Sequence, residues 1–358
     1  MVNIGLIGCG YWGPNLLRNF LQCPDCHVAG VAELNDSQIQ YLHEKFPSIP
    51  TTKDYFDLLN KNMDAIAIAT PPSSHYALAR QALEHNKHVL VEKPLALNVA
   101  EARHLVDLAR ERNLRLMVGH TFEYNAAIKE LKHQIQKGVI GTPYYVYAQR
   151  LNFGIVRRDL GALWNLAPHD ISILNFLFDQ TPIKVSARGF DFIQSGIEDV
   201  AFIVLQFASG VKAHVQVSWL DPRKVRSMTI VGSEKMIVYD DMAEAKIQIY
   251  DKGIKKQNIS DSLGPYDDFG KYQLIRSAGD VTFPRIDFGE PLRDECFEFV
   301  NAICENRKPT TDGENGLRVV EVLAAAQESM RQGGKEILIE PKNSELNNSR
   351  AKGLGQRA

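Results

Sequence analysis

The sequence predicts an α/β protein with two domains. An N-terminal doubly wound parallel sheet is followed by an α+β domain with a large, open, mainly antiparallel sheet. In the first third of the chain, short β-branched runs alternate with amphipathic stretches, which is typical of parallel strands covered by helices. After about Tyr124, strand-like segments joined by tight turns dominate. The length of 358 residues favours two domains of roughly 150 residues each.

The first domain is predicted to span residues 1–122. Its strands are short runs rich in Val, Ile and Ala, as expected of parallel strands that are buried on both faces. They are predicted at residues 2–6, 28–32, 65–69, 88–91 and 114–118. Apolar residues at helical spacing between them predict helices at 16–21, 76–83 and 99–109.

The second domain is predicted to span residues 123–340, and a polar tail over 341–358 is predicted to be disordered. Helices are predicted at 127–135, 162–177, 292–305 and 316–331, with a strand at 144–147 and mostly strands over 183–250. Residues 202–207 and 211–217, linked by Ala208-Ser209-Gly210, predict an antiparallel hairpin. Such a sheet can leave one face for a partner subunit, so we expect a dimer or a tetramer formed through it.

Composition excludes several classes of protein. With 44% hydrophobic and 23% charged residues the chain is typical of globular proteins, and a net charge of −2 gives no basic field for nucleic acid. No apolar run is long enough to span a membrane, and no basic leader precedes the first strand. Five cysteines, an odd number, argue against a disulfide framework and favour the cytoplasm. Cys23 and Cys26 resemble a redox pair or half a zinc site, but without partners at metal-ligand spacing we expect two incidental thiols and no metal.

A glycine-rich segment directly follows the first strand and opens the first helix. It reads Gly8-Cys9-Gly10-Tyr11-Trp12-Gly13, in the context that a dinucleotide-binding turn requires. Glu33 follows about 20 positions after Gly13, where a carboxylate accepts hydrogen bonds from ribose hydroxyls. The Glu33 carboxylate would repel a 2′-phosphate and residues 34–37 supply no arginine to hold one, so NAD is favoured over NADP. The predicted cofactor-binding residues are Gly8, Gly10, Tyr11, Trp12, Gly13 and Glu33.

Lys93 is the candidate for the proton-transfer step. It follows the apolar run of the fourth predicted strand and precedes Pro94, which restricts the direction of the chain. Ligands of open α/β sheets bind beyond the carboxyl ends of the strands, so the Lys93 ammonium is expected to point into the cleft. A lysine so placed, with its pKa lowered by partial burial, can pass a proton to or from a carbinol oxygen while hydride moves to a nicotinamide.

Four motifs in order resemble the glucose-fructose oxidoreductase / inositol dehydrogenase (Gfo/Idh/MocA) family. They are the glycine-rich turn, residues 69–75 (ATPPSSH), Glu92-Lys93-Pro94, and residues 165–170 (NLAPHD), and the resemblance extends from residue 1 to about 340. It implies a Rossmann domain, a second domain with an open sheet, and an active site between them. It also implies that Lys93 is catalytic. Further residues are implied to lie along the cofactor: Thr70, Pro71, Pro72, His75 and Glu92.

Asn165 and His169 are the candidate substrate-facing residues of the second domain. At positions i and i+4 of a predicted helix they share one face. His169 can share the substrate proton with Lys93. Asn165 stands where the family most often has aspartate, and because asparagine is no base, its expected role is to orient the substrate. Asparagine at this position is similar to family members that oxidise the 3-hydroxyl of UDP-N-acetylglucosamine-type sugars.

The predicted function is therefore an NAD-dependent dehydrogenase that oxidises a secondary hydroxyl, at C3, of a nucleotide-activated amino sugar. Arg150, Arg157 and Arg158 precede the His169 helix and are predicted to bind a diphosphate or uronate. Alternatives are a free polyol or aldose dehydrogenase for inositol, glucose or xylose, a catalytically silent NAD-binding regulator, and a glycosidase that uses NAD transiently. Glu123, where many relatives carry arginine, has no assigned role.

Overall fold

The computed structural model of the chain describes residues 1–60, 62–154, 156–253 and 279–339, so the predicted tail lies outside the described residues. The helices are α1 Gly13–Leu21, α2 Asp36–Lys45, α3 Phe56–Asn60, α4 His75–Glu84, α5 Val99–Glu111, α6 Ala126–Gln136, α7 Ala162–Phe178, α8 Pro291–Cys304 and α9 Gly313–Arg331. The strands are β1 Val2–Ile7, β2 Cys26–Ala32, β3 Thr51–Thr52, β4 Ala65–Ile68, β5 His88–Glu92, β6 Leu116–Gly119, β7 Pro143–Phe153, β8 Lys184–Phe190, β9 Val200–Gln206, β10 Lys212–Ser218, β11 Leu220–Gly232, β12 Met236–Asp240, β13 Ile247–Tyr250, β14 Val281–Thr282 and β15 Ile337–Leu338.

A parallel sheet of six strands, in the order β3-β2-β1-β4-β5-β6, forms the centre of the N-terminal part. This is the strand order of the Rossmann fold, in which β1 and β4 meet where the order reverses. All five predicted strands and all three predicted helices of this region are confirmed. The sequence did not predict α2, β3 and α3. Their signals are weak, because β3 has two residues and α2 buries only Leu42.

The described residues divide into two compact units. Unit 1 comprises Met1–Ala126, Ile171–Ile173 and Phe288–Ala325, and unit 2 comprises the described residues of Ala127–Asp170, Leu174–Asp287 and Ala326–Ala358. The first boundary lies close to the predicted residue 122. Phe288–Ala325, which the sequence assigned to the second domain, belongs instead to unit 1, where α8 packs against α1. Its Leu292, Cys296 and Phe299 lie in the same hydrophobic core as β1.

Unit 2 contains a nine-stranded sheet in the order β14-β13-β12-β11-β7-β10-β9-β8-β15. Its strand pairs are antiparallel except for β7 with β10, as the predicted mainly antiparallel sheet requires. The predicted hairpin is β9 with β10, in which Lys212 pairs with Gln206. Strand β7 is longer than predicted, and its side chains alternate between buried and more exposed positions from Tyr145 to Arg150. Val146, Ala148 and Arg150 are buried, whereas Tyr145 and Tyr147 are exposed on the opposite face.

Among the described residues, no helix is long and apolar enough to cross a membrane. Cys23 and Cys26 are free thiols in the core beside α1. Burial raises the pKa of Cys26 to about 12 and also raises that of Cys23, so neither sulfur is a reactive thiolate near neutral pH. That they are two incidental thiols stays a prediction.

A candidate dinucleotide site and the helix of Asn165 and His169

The glycine-rich turn between β1 and α1 has the shape needed to receive a phosphate. Gly8 has a φ of +86°, and a Cβ added there would lie 2.7 Å from Cγ2 of Thr70 at the end of β4. A Cβ at Gly13 would lie 2.5 Å from the Gly8 carbonyl oxygen, so α1 can approach β1 only with glycine there. A Cβ at Gly10 would meet no atom of the described residues within 4 Å, which leaves this backbone open to a ligand. The first and third glycines therefore serve packing, and the second leaves its backbone accessible to a ligand.

Glu33, at the carboxyl end of β2, holds the glycine-rich turn in place. Its Oε2 accepts a hydrogen bond of 2.6 Å from the backbone N–H of Cys9. Its Oε1 accepts hydrogen bonds from the backbone N–H groups of Leu34 and Asn35, at 2.8 and 2.9 Å. These contacts fix the carboxylate beside the turn, where its remaining lone pairs can accept the two ribose hydroxyls of an adenosine. Tyr11, 92% exposed, borders the same turn. The residues present therefore fit NAD.

The segment after β4 forms a second wall of this edge, with a different role for His75 than predicted. His75 is fully buried, and its Nδ1 and Nε2 lie 2.8 Å from the Pro94 carbonyl oxygen and 2.9 Å from the Thr70 carbonyl oxygen. Both ring nitrogens are thus used within the chain, which corrects the expected direct contact with cofactor. His75 instead links the Thr70 loop to the Lys93-Pro94 segment. Pro71 is exposed and Pro72 is buried in the intervening turn.

Lys93 and Glu92 lie at the carboxyl end of β5, on the edge of the sheet that carries the glycine-rich turn. Lys93 is half-buried, and its peptide bond to Pro94 is cis. Burial raises the pKa of Glu92 to about 7, and the charge of Lys93, its backbone N–H and the indole of Trp12 lower it by less. The carboxylate packs on Gly119 of β6, where a Cβ would lie 3.0 Å from its Oε2.

A buried polar cluster that the sequence did not predict lies after β6 in unit 1. The Asn315 amide nitrogen donates to both carboxylate oxygens of Glu123, at 3.1 and 3.3 Å, and its Oδ1 lies 2.6 Å from Nδ1 of His120. Burial lowers the pKa of His120 to about 4; the hydrogen bond to Asn315 opposes this, while the charges of Lys93 and Arg318 lower it further. Glu123 is therefore an internal structural carboxylate, buried at 1% exposure.

Glu295 on α8 is the second unpredicted member of this region. It is fully buried between apolar neighbours of the same helix face. Burial is the main cause that raises the pKa of Glu295 well above its ordinary value, and the charges of Glu92 and Glu123 raise the pKa further. The Thr121 hydroxyl lowers it by less than Glu92 raises it. A sequence signal existed, since Leu292, Glu295, Cys296 and Phe299 follow helical spacing and place a carboxyl group in an apolar stripe.

In unit 2, α7 presents Asn165 and His169 on one half-buried face, as the i, i+4 spacing predicts. The helix begins after Gly161, and the Glu198 carboxylate accepts a hydrogen bond of 3.2 Å from the backbone N–H of Leu163. A Cβ at Gly161 would overlap this carboxylate, at 2.0 Å from its Oε1. Glycine at this position and glutamate at 198 therefore cap the helix that carries both predicted substrate-facing residues.

Two of the three predicted diphosphate-binding arginines have their guanidinium groups engaged within unit 2. Arg150 is buried, and its Nε and Nη2 donate to the two carboxylate oxygens of Asp170, at 2.7 and 3.1 Å. Arg157 makes a similar fork with Asp159 at the surface, at 2.8 and 2.6 Å. Arg158 is exposed. The structure therefore revises Arg150 from a direct ligand to a residue that anchors α7, because Asp170 is next to His169 in that helix.

The parallel sheet, the open glycine-rich turn and the carboxylate after β2 define a dinucleotide-dependent oxidoreductase. The family model "Oxidoreductase family, NAD-binding Rossmann fold" of the Gfo/Idh/MocA group matches residues 2–120, and the model of the C-terminal domain of that group matches residues 128–238. The chain belongs to this family and is an NAD-dependent oxidoreductase.

Several relatives resemble the chain over nearly its whole length. UDP-N-acetylglucosamine 3-dehydrogenase of Acidithiobacillus ferrooxidans is 28% identical over 90% of this chain and 94% of its own length. Myo-inositol 2-dehydrogenase of Thermotoga maritima is 21% identical, over 92% and 97%. The solved structure of the Acidithiobacillus ferrooxidans UDP-N-acetylglucosamine 3-dehydrogenase GnnA has a TM-score of 0.75 at 24% identity, with 92% of this chain and 98% of that chain covered. It shows that the fold is shared.

Proposed function

We propose that the protein oxidises a secondary hydroxyl, at C3, of a nucleotide-activated amino sugar such as UDP-N-acetylglucosamine or its uronate. The observation that carries this proposal is the pairing of Asn165 with His169 on the half-buried face of α7. An amide orients a substrate without taking its proton, and an imidazole shares one. The 28% identity to a UDP-N-acetylglucosamine 3-dehydrogenase supports the nucleotide sugar.

In the proposed reaction, bound NAD supplies the hydride acceptor, and the chain supplies alignment and proton transfer. Gly10 and the start of α1 receive the pyrophosphate, and Glu33 receives the ribose hydroxyls. Lys93 accepts the hydroxyl proton, assisted by His169. Arg158, which is exposed, is the remaining candidate for the diphosphate among the three predicted arginines, together with Arg157 if its fork opens.

A dehydrogenase of free polyols is the competing function, and the relationship to a myo-inositol 2-dehydrogenase over 92% of the chain favours it. The two functions differ in what the site must recognise. A site for a nucleotide sugar must bind a diphosphate and a base, whereas a polyol site must bind hydroxyl groups alone. A third function, an NAD-binding regulator, requires no turnover.

The test is absorbance of reduced nicotinamide when the protein and NAD meet UDP-N-acetylglucosamine, its uronate, myo-inositol or glucose in parallel. A coupled aminotransferase or a keto acceptor in each reaction removes an unfavourable 3-keto product. We expect signal only with the UDP sugars. Signal only with myo-inositol or glucose would instead establish a polyol enzyme and refute the role given to Asn165. Bound NAD with no turnover of any substrate would identify a regulator.

We propose further that two copies of the chain associate through the exposed face of the nine-stranded sheet. That face carries exposed apolar or aromatic side chains on β7 and β9, the two strands that flank β10: Tyr145, Tyr147, Phe202 and Val204. Val204→Glu in the middle of the face is expected to shift the protein to smaller species in sedimentation velocity. Val281→Glu, on the edge strand β14, is the matched control and should leave the assembly unchanged. Identical assembly of the two variants would refute this interface. A cytoplasmic location stays a prediction from the cysteine content.

A further inference from the structure

Unit 1 contains three carboxyl groups, Glu92, Glu123 and Glu295, in one region of its interior, and Lys93 lies beside the first of them. Glu92 lies next to Lys93 with Oε1 buried, Glu295 is fully buried on α8, and Glu123 is buried after β6. The charges of Glu92 and Glu123 both raise the pKa of Glu295. Buried carboxylates at close range cannot all ionise, because each loses its hydration and repels the others. At least one of them must therefore hold a proton.

The hydrogen bonds distinguish the three carboxyl groups. Both oxygens of Glu123 accept from the Asn315 amide, which favours an ionised carboxylate. Neither oxygen of Glu295 has a hydrogen-bond donor in bonding geometry among the described residues. Its nearby Thr121 hydroxyl lowers the pKa less than burial and Glu92 raise it. Glu295 is thus the uncharged acid of the set, and the one whose proton is held over the widest range of pH.

Glu92 differs because it faces both a cation and the dinucleotide turn. Lys93 and the indole of Trp12, a residue of the glycine-rich turn, both lower the pKa of the Glu92 carboxyl group. Trp12 Nε1 and Glu92 Oε1 are both buried, and neither reaches hydrogen-bonding geometry within the described chain. A charge on Glu92 is therefore adjacent to the residues that the cofactor must contact. With a pKa of about 7, this charge is half-present at neutral pH.

We propose that Glu92 exchanges one proton with solution in step with the charge of the bound nicotinamide, while Glu295 stays protonated beneath it. The nicotinamide ring carries a positive charge in NAD+ and none in NADH, so NAD+ favours ionised Glu92 and NADH favours the acid. Oxidation removes a hydride from the carbinol carbon and a proton from the hydroxyl oxygen of the substrate, and the C=O bond forms. The hydride reduces the ring, and the proton passes from Lys93 to the Glu92 carboxylate, so the charge of this region is unchanged.

Other ionisable groups around Glu92 must be separated from it in a test. They are Lys93 on the same segment, His75 of α4, His120 and Glu123 after β6, Glu295 and Cys296 of α8, and Arg318 of α9. The pKa of His120 is lowered to about 4 and that of Cys296 is raised well above its ordinary value, so neither titrates near neutral pH. The single substitutions Glu92→Gln and Glu295→Gln separate the contributions of these two carboxyl groups.

The test is isothermal titration calorimetry of NAD+ and of NADH in buffers of different ionisation enthalpy, which counts protons exchanged on binding. At a pH below the pKa of Glu92, this carboxyl group is protonated in the protein without cofactor. NAD+ binding should therefore release up to about one proton at about pH 6 and almost none at about pH 8.5. NADH binding should release none at either pH. Glu92→Gln should bind both cofactors and lose the release. Glu298→Gln, a control three residues beyond Glu295 and paired with Arg307, should keep it.

Equal proton counts for NAD+ and NADH in the wild-type protein would overturn the inference, as would undiminished release from Glu92→Gln. Glu295→Gln replaces one uncharged group by another. Proton release on NAD+ binding to this variant should therefore occur at the same pH as in the wild type. A move of that release to lower pH would show that Glu295 is charged in the native protein and would overturn its assignment. The inference rests on NAD binding and not on the proposed sugar, so failure of every substrate leaves this experiment unaffected.

Discussion

Lys93→Ala should lower turnover by roughly 10²- to 10⁴-fold, as removal of a general acid or base does, while NAD remains bound. Alanine removes the amine that we propose accepts the hydroxyl proton, but it leaves the glycine-rich turn and the Glu33 carboxylate intact. The loss should therefore appear in kcat, with the Kd for NAD changed by less than about tenfold. Steady-state rates with the active sugar and calorimetric titration with NAD measure the two quantities.

Lys53→Ala is a suitable control for this substitution. Lys53 also belongs to unit 1, is exposed, and pairs only with the exposed Asp36 in the described structure, so its loss should leave turnover unchanged. Near-normal turnover of Lys93→Ala would refute the assignment. Loss of NAD binding together with turnover would show that the lysine, through its position beside Glu92, mainly holds the cofactor.

The sequence predicted the parallel sheet better than the domain boundaries. Parallel strands buried on both faces give continuous apolar runs, and those runs identified β1, β2 and β4. The return of Phe288–Ala325 to unit 1 was not predicted, because a chain that crosses back to an earlier domain leaves no compositional change. The apolar stripe of α8 indicated that the helix packs against something, but it carried no information about its partner, α1.

The candidate site was predicted where a motif combines backbone geometry with chemistry. The roles of Gly8, Gly13 and Glu33 follow from the turn, and the structure gives each a contact that explains its residue type. Buried polar groups were missed because their partners are distant in sequence. Asn315 lies 195 residues from His120, and Arg150, which was predicted to bind a diphosphate, pairs with Asp170 on another element. Strand alternation with Val146 and Ala148 was the available signal that Arg150 faces the core.

The strongest effect on stability is expected from Arg150→Ala, which should lower the free energy of unfolding by about 3–5 kcal/mol. The substitution leaves the Asp170 carboxylate buried, with its side chain 4% exposed, and without its bidentate partner. Arg157→Ala is the matched control, since the same fork with Asp159 is partly exposed, with the two side chains at 32% and 42%, and is worth about 0–1 kcal/mol. Urea unfolding at constant m measures both differences.

Arg150→Ala with Asp170→Ala should be less destabilised than the sum of the two single variants, because no unpaired charge remains in the core. This cycle also separates the two roles considered for Arg150. If the guanidinium anchors α7 through Asp170, Arg150→Ala loses stability and the alignment of Asn165 and His169 together. If it binds the diphosphate instead, Arg150→Ala should unfold like the wild type and lose only affinity for the UDP sugar. The buried fork of 2.7 and 3.1 Å favours the first outcome.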